Sequence, residues 1–575
     1  MTTRRSPYVL AVALIGLAST VAPAALASNP LEYPDNGAAA FSRGGAWLAT
    51  GNEPIAAHYD PAALAIQTSA FSIDQNLAYD KVCYSRQGPN STPESTGLAG
   101  DFYLPACNGR TAFPSTIPSI AVSLRVSEKL GIGMAIVPPS TYAGADNAYP
   151  PLATGFNLKA ADCLASGKPA STCGSPYVTV PAPYRYQQLQ QLSTILFPTV
   201  SVGYAILPTL RIGVGFISGI GVINNSVAAI QSTTPPGPGQ VATDNPGADA
   251  ISTLHTKDLF MPGVVVSVHW SPTPMLDVAA WGRWISPLDS STGDLSIQTQ
   301  PFDSTGATTS TKLQPTCQAN RGSACYNNAL LSPINQYGND AFRHFKFPFP
   351  PEVRVGVRFH RPRAGVEQRP FDSTPVTRRF TSRDPLHDDL FDVELDGSYS
   401  FNTAANTIEI RFAEANGGGT APVKPIGEVP PNADIWNGYE NSFGLRLGGQ
   451  WNAIRDVLGL RAGTWLETQS QRAEWLEVYP VGATRGGFGG GVVVRQDFVD
   501  ISVGYQYQWS AGLDNGGVGA RRAVQAVGGT AFNLSDNPPG SNAGSATQFR
   551  SYQTVNDGNV IQHAHVFTLG GTVRY

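Results

Sequence analysis

The chain has 575 residues, 42% of them hydrophobic, and only 14% Asp, Glu, Lys or Arg, against about 25% in an ordinary soluble protein. With 60 Gly, 46 Pro, 25 Phe, 21 Tyr and 9 Trp, this composition excludes both a bundle of long helices and a disordered chain, and leaves a large all-β protein. A formal net charge of −4 provides no basic excess to displace counterions, so nucleic acid is excluded as a partner.

Residues 1–27 read as a secretory signal peptide. Arg4 and Arg5 open it, an apolar run extends from Tyr8 to Val21, and Ala25-Leu26-Ala27 fits the small-x-small cleavage rule ahead of Ser28. No later segment supplies the 18 or so uninterrupted apolar residues of a spanning helix. Residues 28–69 lack sustained alternation. They contain the run from Gly37 to Trp47, with Arg43-Gly44-Gly45-Ala46 inside it, followed by Tyr59-Asp60-Pro61-Ala62-Ala63-Leu64.

From residue 70 onward the pattern has period two, the strand signature. In 501–509, Ile501, Val503, Tyr505, Tyr507 and Trp509 share one face, while Ser502, Gly504, Gln506 and Gln508 share the other. Fourteen segments are predicted as strands: 70–79, 117–126, 130–138, 194–206, 210–218, 259–270, 276–286, 352–360, 390–413, 441–451, 458–467, 487–497, 499–509 and 563–575. The 390–413 segment changes parity, odd-numbered through Phe401 and even-numbered at Ile408, Ile410 and Phe412. It is read as one strand carrying a bulge or turn near 403–407. Short turns at 127–129, 208–209, 271–274, 453–457 and 497–500 alternate with long loops, and aromatics gather toward segment ends. These are the marks of a transmembrane antiparallel β-barrel of an outer membrane, with lipid-facing girdles, rather than of a soluble sandwich. The last strand ends in aromatic Tyr575, with Val573, Gly571, Leu569 and Phe567 on one face, and resembles the terminal signal read by a barrel-assembly machinery.

Six cysteines fall in three local pairs on the long-loop side: Cys83 with Cys107, Cys163 with Cys173, and Cys317 with Cys325. Three local disulfides suit an exported chain, although six cysteines allow 15 pairings. No tight Cys pair with a nearby His offers a zinc site, and no metal or cofactor is expected. Walker, HExxH and GxSxG motifs are absent, so no enzyme is expected. His563 and His565 share a face of the last strand and are read as a lumen-facing or rim pair.

Fourteen strands close around a lumen too wide for side chains to fill, so either a plug fills it or the protein is an open pore. Residues 28–69 are the candidate plug. Here the chain resembles the FadL/TodX outer-membrane transporters, in its small-residue stretch, its Arg-Gly-Gly-Ala run and its Tyr-Asp-Pro-Ala-x-Leu motif just before the first strand. The resemblance implies an N-terminal hatch (28–69) inside a barrel (70–575) with long extracellular loops. It also implies a monomer that imports long-chain fatty acids or other hydrophobic compounds by passive, hatch-gated diffusion. Arg43, Gly44, Gly45, Asp60, Pro61 and Ala62 are then the hatch motif, with Asp60 where the family carries Asn. In the family a ligand leaves sideways into lipid through a kink in the third strand. Gly131, Gly133, Pro138 and Pro139 occupy that strand here, the glycines weakening the ladder and the prolines each removing a donor. Inward Arg354, Arg358, Arg446 and Arg461 are candidates to contact a ligand carboxylate, and Arg354 and Arg358 also to pair across strands with Asp392, Glu394 and Asp396. A general porin and a surface adhesion barrel are the alternatives.

Overall fold

The computed structural model describes residues 36–87, 101–108, 115–139, 143–148, 152–230, 249–299 (without 292), 334–337, 342–363, 384–412, 433–521, 524–525 and 554–575, with short pieces between 414 and 428. The signal peptide and residues 28–35 lie outside them.

Fourteen antiparallel strands close on themselves. They are β1 Ala70–Arg86, β2 Ser115–Arg125, β3 Leu130–Val137, β4 Gln190–Leu207, β5 Leu210–Ile230, β6 Asp249–Thr273 and β7 Leu276–Ile285, then β8 Glu352–Pro362, β9 Asp389–Ser400, β10 Ser442–Ile454, β11 Leu458–Glu467, β12 Arg485–Gln496, β13 Val499–Ser510 and β14 Gly558–Arg574. Each pairs with its neighbours in sequence, and β14 returns to β1 from Ala70↔Arg574 to Arg86↔Gly558. No edge is left open, which is the condition for placing strands in lipid.

Alternation decides which residue meets lipid. On β13, Ile501 and Val503 are about half exposed (51% and 52%), whereas Ser502, Gln506 and Gln508 are buried. The same outward apolar face recurs at Val353, Val355, Val357 and Phe359 on β8 and at Phe443, Leu445, Leu447 and Trp451 on β10. Such a belt in water would be an aggregation surface; around a closed barrel it is the lipid contact of an outer-membrane protein. No helix among the described residues is long and apolar enough to cross a membrane.

The structure revises the 390–413 segment. β9 ends at Ser400, and Asn402–Ala405 forms a 3-10 turn that Asn402 and Asn406 pin to the backbone of Glu440 and Tyr439. Thr407–Phe412 then leaves the barrel and pairs with Phe342–Phe347 and Ala433–Trp436 in a separate small sheet. The parity change is therefore a turn between two elements, and the barrel count stays at fourteen. Of the two readings of His563 and His565, the lumen-facing one is excluded. They alternate with buried Gln562, Ala564 and Val566, share the side of exposed Phe567 and Leu569, and so face outward.

Three disulfides were expected, and two are present among the described residues. They join Cys83 to Cys107 and Cys163 to Cys173. The first links β1 to the short strand Ala106–Cys107 paired beside it, and the second joins helix Leu158–Ala165 to helix Ala170–Cys173. The third expected pair differs from these two. Cys317 and Cys325 both lie outside the described residues.

Residues 36–69 fill the lumen. Helix α1 (Ala38–Ser42), helix α2 (Ala56–Tyr59) and the 3-10 turn Pro61–Ala65 are buried throughout. The small residues of this stretch are what allow three short turns and an irregular chain to pack inside a ring of strands.

Candidate functional site

Two sets of inward glycines seat the hatch. On one wall Gly131 of β3, Gly203 of β4 and Gly213 of β5 are register partners in a single row that continues to Ser267 of β6. The turn that begins Asp60-Pro61-Ala62 lies directly on this row. A Cβ at Gly203 would sit 2.3 Å from the Pro61 carbonyl oxygen, and one at Gly131 only 1.9 Å from that of Leu64. Ser267 Oγ accepts the Ala62 N–H at 2.8 Å. On the facing wall Gly448 of β10 pairs with Gly463 of β11. A Cβ at either would fall 2.1 or 2.0 Å from the Arg43 carbonyl oxygen. Gly44 and Gly45 follow with φ of 65° and 82°, a left-handed turn that bulkier residues resist. The hatch motif is thus split between two docking saddles made of backbone.

Charge fixes the hatch between them. The Arg43 guanidinium lies 2.6 Å from Asp392 and 3.3 Å from Glu394. Glu394 also accepts from the Ala49 N–H and the Thr50 hydroxyl, and one Asp396 oxygen accepts both the Trp47 and Leu48 N–H groups at 3.0 and 3.1 Å. Asp60 accepts from His269 Nδ1 at 3.0 Å, and beyond His269 lie Asp277, Arg358, Asp389 and His360 in one buried cluster. A buried charge persists only when paired in this way.

The four arginines proposed for ligand contact all face inward and all have partners. Arg358 meets Asp277, Asp389 and Asp392; Arg446 meets Glu467 at 2.8 Å and Ser398; Arg461 donates to Gln450 and Ser502; Arg354 pairs at 2.7 Å with Glu352 of its own strand. Arg354 also packs on aromatic rings, 5.7 Å from Tyr59 and 5.4 Å from Trp281.

Those rings belong to an apolar column that sequence reasoning missed. Against the hatch residues Trp47, Leu48, Ile55 and Tyr59 stand Phe197, Trp281 and Phe349; the same cluster holds Ile217, Val265, Met261 and Ile285 on β5, β6 and β7 and, further toward the long-loop end, Ile223, Leu288, Phe345 and Phe347. Phe197 meets Phe349 edge-on at 5.6 Å, and Phe349 meets Phe347 at 5.4 Å. The Phe345-Lys-Phe-Pro-Phe349 run carries the period-two signal, but it falls between the predicted strands, inside a long loop. Among these rings His58 is held neutral. Burial, then the Arg283 and Arg354 guanidiniums, lower its pKa well below that of an ordinary imidazole. Thr199 donates its hydroxyl to the Phe197 carbonyl, so His58 Nδ1–H donates to Thr199 and Nε2 faces Arg283.

The third strand behaves differently at its two ends. Pairing runs unbroken through Gly131 and Gly133 on both sides, so the ladder is continuous at the glycines. Pairing with β2 ends at Ile120↔Ile136 and with β4 at Val137↔Phe197; a separate strand, Ala143–Ala148, resumes on β4 at Thr194. The break coincides with Pro138 and Pro139. Hatch residue Asn36 donates to the Pro138 carbonyl at 2.8 Å.

A FadL homologue of Pseudomonas aeruginosa superposes with a TM-score of 0.57 at 14% identity, covering 96% of this chain and all of the other. The fold is the FadL fold. The toluene transporter TodX of Pseudomonas putida matches at a TM-score of 0.50 and 10% identity, over 95% of this chain and 99% of that one. Neither a protein-family model nor a curated protein sequence matches the chain. At such identities the FadL fold is carried by backbone arrangement, and what the site does follows from this chain's own residues.

Proposed function

We propose that the protein moves hydrophobic small molecules across the outer membrane by passive, hatch-gated diffusion, with exit sideways into lipid. The observation that carries this reading is the apolar column. It begins at Phe345, Phe347 and Leu288 near the long loops and ends at Phe197 and Val137, beside the strand break at Pro138. A ligand following it passes over Trp47 and Tyr59 of the hatch, where the Arg283 and Arg354 guanidiniums lie against the column's rings, and reaches the strand break at Pro138. Sideways release has an energetic reason: exposing about 300 Å² of apolar ligand surface to water costs about 7 kcal/mol, a cost that transfer into lipid avoids. The Asn36–Pro138 hydrogen bond joins the hatch to the strand break, which supports a coupling of hatch movement to exit.

A general porin does not account for a lumen occupied by residues 36–69. Replacing Pro138 and Pro139 together by Val and Thr restores two ladder donors. Uptake of a labelled long-chain fatty acid or toluene should then fall at least tenfold while the barrel still shows heat-modifiable migration in gels. Unchanged uptake in that variant removes the sideways route.

A further inference from the structure

The outward face of β13, β14 and β1 changes character along its length. Near the short-turn end it is apolar, with Ile501, Val503, Leu569, Phe567, Phe71 and Ile73 exposed. Further up, register places two rows across the three strands: Tyr79, His565 and Tyr507, then Lys81, His563 and Trp509. Neighbours within a row have Cβ atoms about 5 Å apart. His563 lies ten residues from Val573 on β14. At about 3.3 Å per residue and about 40° of tilt that is roughly 25 Å, the height of the lipid band, so the rows sit at the outer interface.

Aromatics at this depth are an ordinary girdle. One lysine and two imidazoles on the same face are not. Tyr505 and His565 Nδ1 lie 2.8 Å apart, which orients that ring. Among the described residues no carboxylate pairs with Lys81. Asp80 alternates to the other face, where Gln562 donates to it, and the outward carboxylate beside these strands, Asp514, stands opposite Asn559 four residues beyond His563. An ammonium group projecting from a lipid-facing wall is stable only where its head reaches an anion or water.

We propose that Lys81, His563, His565 and the flanking Tyr79, Tyr507 and Trp509 bind the phosphate head of an anionic membrane lipid, with its acyl chains lying over Phe567 and Leu569. Lys81 supplies the charge, the imidazole and indole N–H groups and the phenols supply directed donors, and the apolar rows below accept the tails. The occupant is a lipid, because a soluble phosphate gains nothing from the apolar half of the surface.

Native mass spectrometry of the full-length protein in detergent, offered dioleoyl phosphatidic acid or dioleoyl phosphatidylcholine, tests this. The unaltered protein should retain the phosphatidic acid at least threefold over the phosphatidylcholine. The Lys81→Ala/His563→Ala pair should lose that preference, and Lys81→Gln, which keeps the stem and removes the charge, should lose most of it. Lys257→Ala, at another exposed lysine on β6, should keep it. Equal retention of the two lipids by the unaltered protein, or an undiminished preference in both Lys81 variants, overturns the proposal.

Discussion

At the residue scale the hatch depends on a few buried groups whose loss has a predictable sign. Arg43→Ala strands Asp392 without one of its two cationic partners and leaves Glu394 facing Asp396; breaking a buried pair of this kind costs about 3–5 kcal/mol. The expected result is release of the hatch from β9 with the barrel intact, seen as faster hydrogen exchange confined to the segment from Ala38 to Ala65. Gly203→Ala acts by volume. A methyl 2.3 Å from the Pro61 carbonyl must displace the turn, at about 1–3 kcal/mol for overpacking, and should raise ion leak in planar bilayers. His58 adds a pH dependence. Its folded pKa lies below its unfolded value of about 6.5, so its contribution is complete above that pH and fades as pH falls toward the folded value. Exchange protection of Ala56–Tyr59 should therefore drop between pH 7.5 and 5, and a His58→Gln variant should lose that pH response. The sequence showed Arg43 and Asp60 as motif members but not their partners, because Asp392 and His269 lie hundreds of positions away and only strand register brings them near.

At the element scale, alternation was enough to place all fourteen strands and to say which face of each is apolar. It failed where periodicity continues across a turn. Residues 407–412 alternate as well as any barrel strand, and only the parity change after Phe401 marked the departure that Asn402–Ala405 makes. Gly131 and Gly133 were legible as unusual and misread in cause: their backbone is fully paired, and the hydrogen in place of a side chain makes room for the hatch. That meaning was not available from β3 alone, since the row is completed by Gly203 and Gly213 on other strands. His563 and His565 had the parity of Phe567 and Leu569, so their outward direction was already present in the sequence. If the saddle is what holds the 3-10 turn, Gly131→Val and Gly213→Val should each dislodge the hatch, whereas Gly397→Val, with nothing within 4 Å of its added Cβ, should not. Tryptic cleavage within residues 36–69 reads the difference.

At the scale of the whole molecule, low charge and abundant glycine have one cause. A barrel wall gives half of its strand residues to lipid, and its inner half must leave room for a second structure. Mean hydropathy of −0.12 conceals this by averaging the lipid belt with a polar inner wall and long loops. The loops and the apolar column were the least legible part, since Phe345, Phe347 and Phe349 join one buried cluster only when the strands around them close. The central claim is that this closed, hatched barrel admits apolar molecules and excludes polar ones. The direct measurement is uptake by cells whose outer membrane limits entry, with and without this protein, comparing a labelled hydrophobic compound with a sugar of similar size. Faster entry of the hydrophobic compound with unchanged entry of the sugar is expected; equal acceleration of both, or of neither, contradicts the claim.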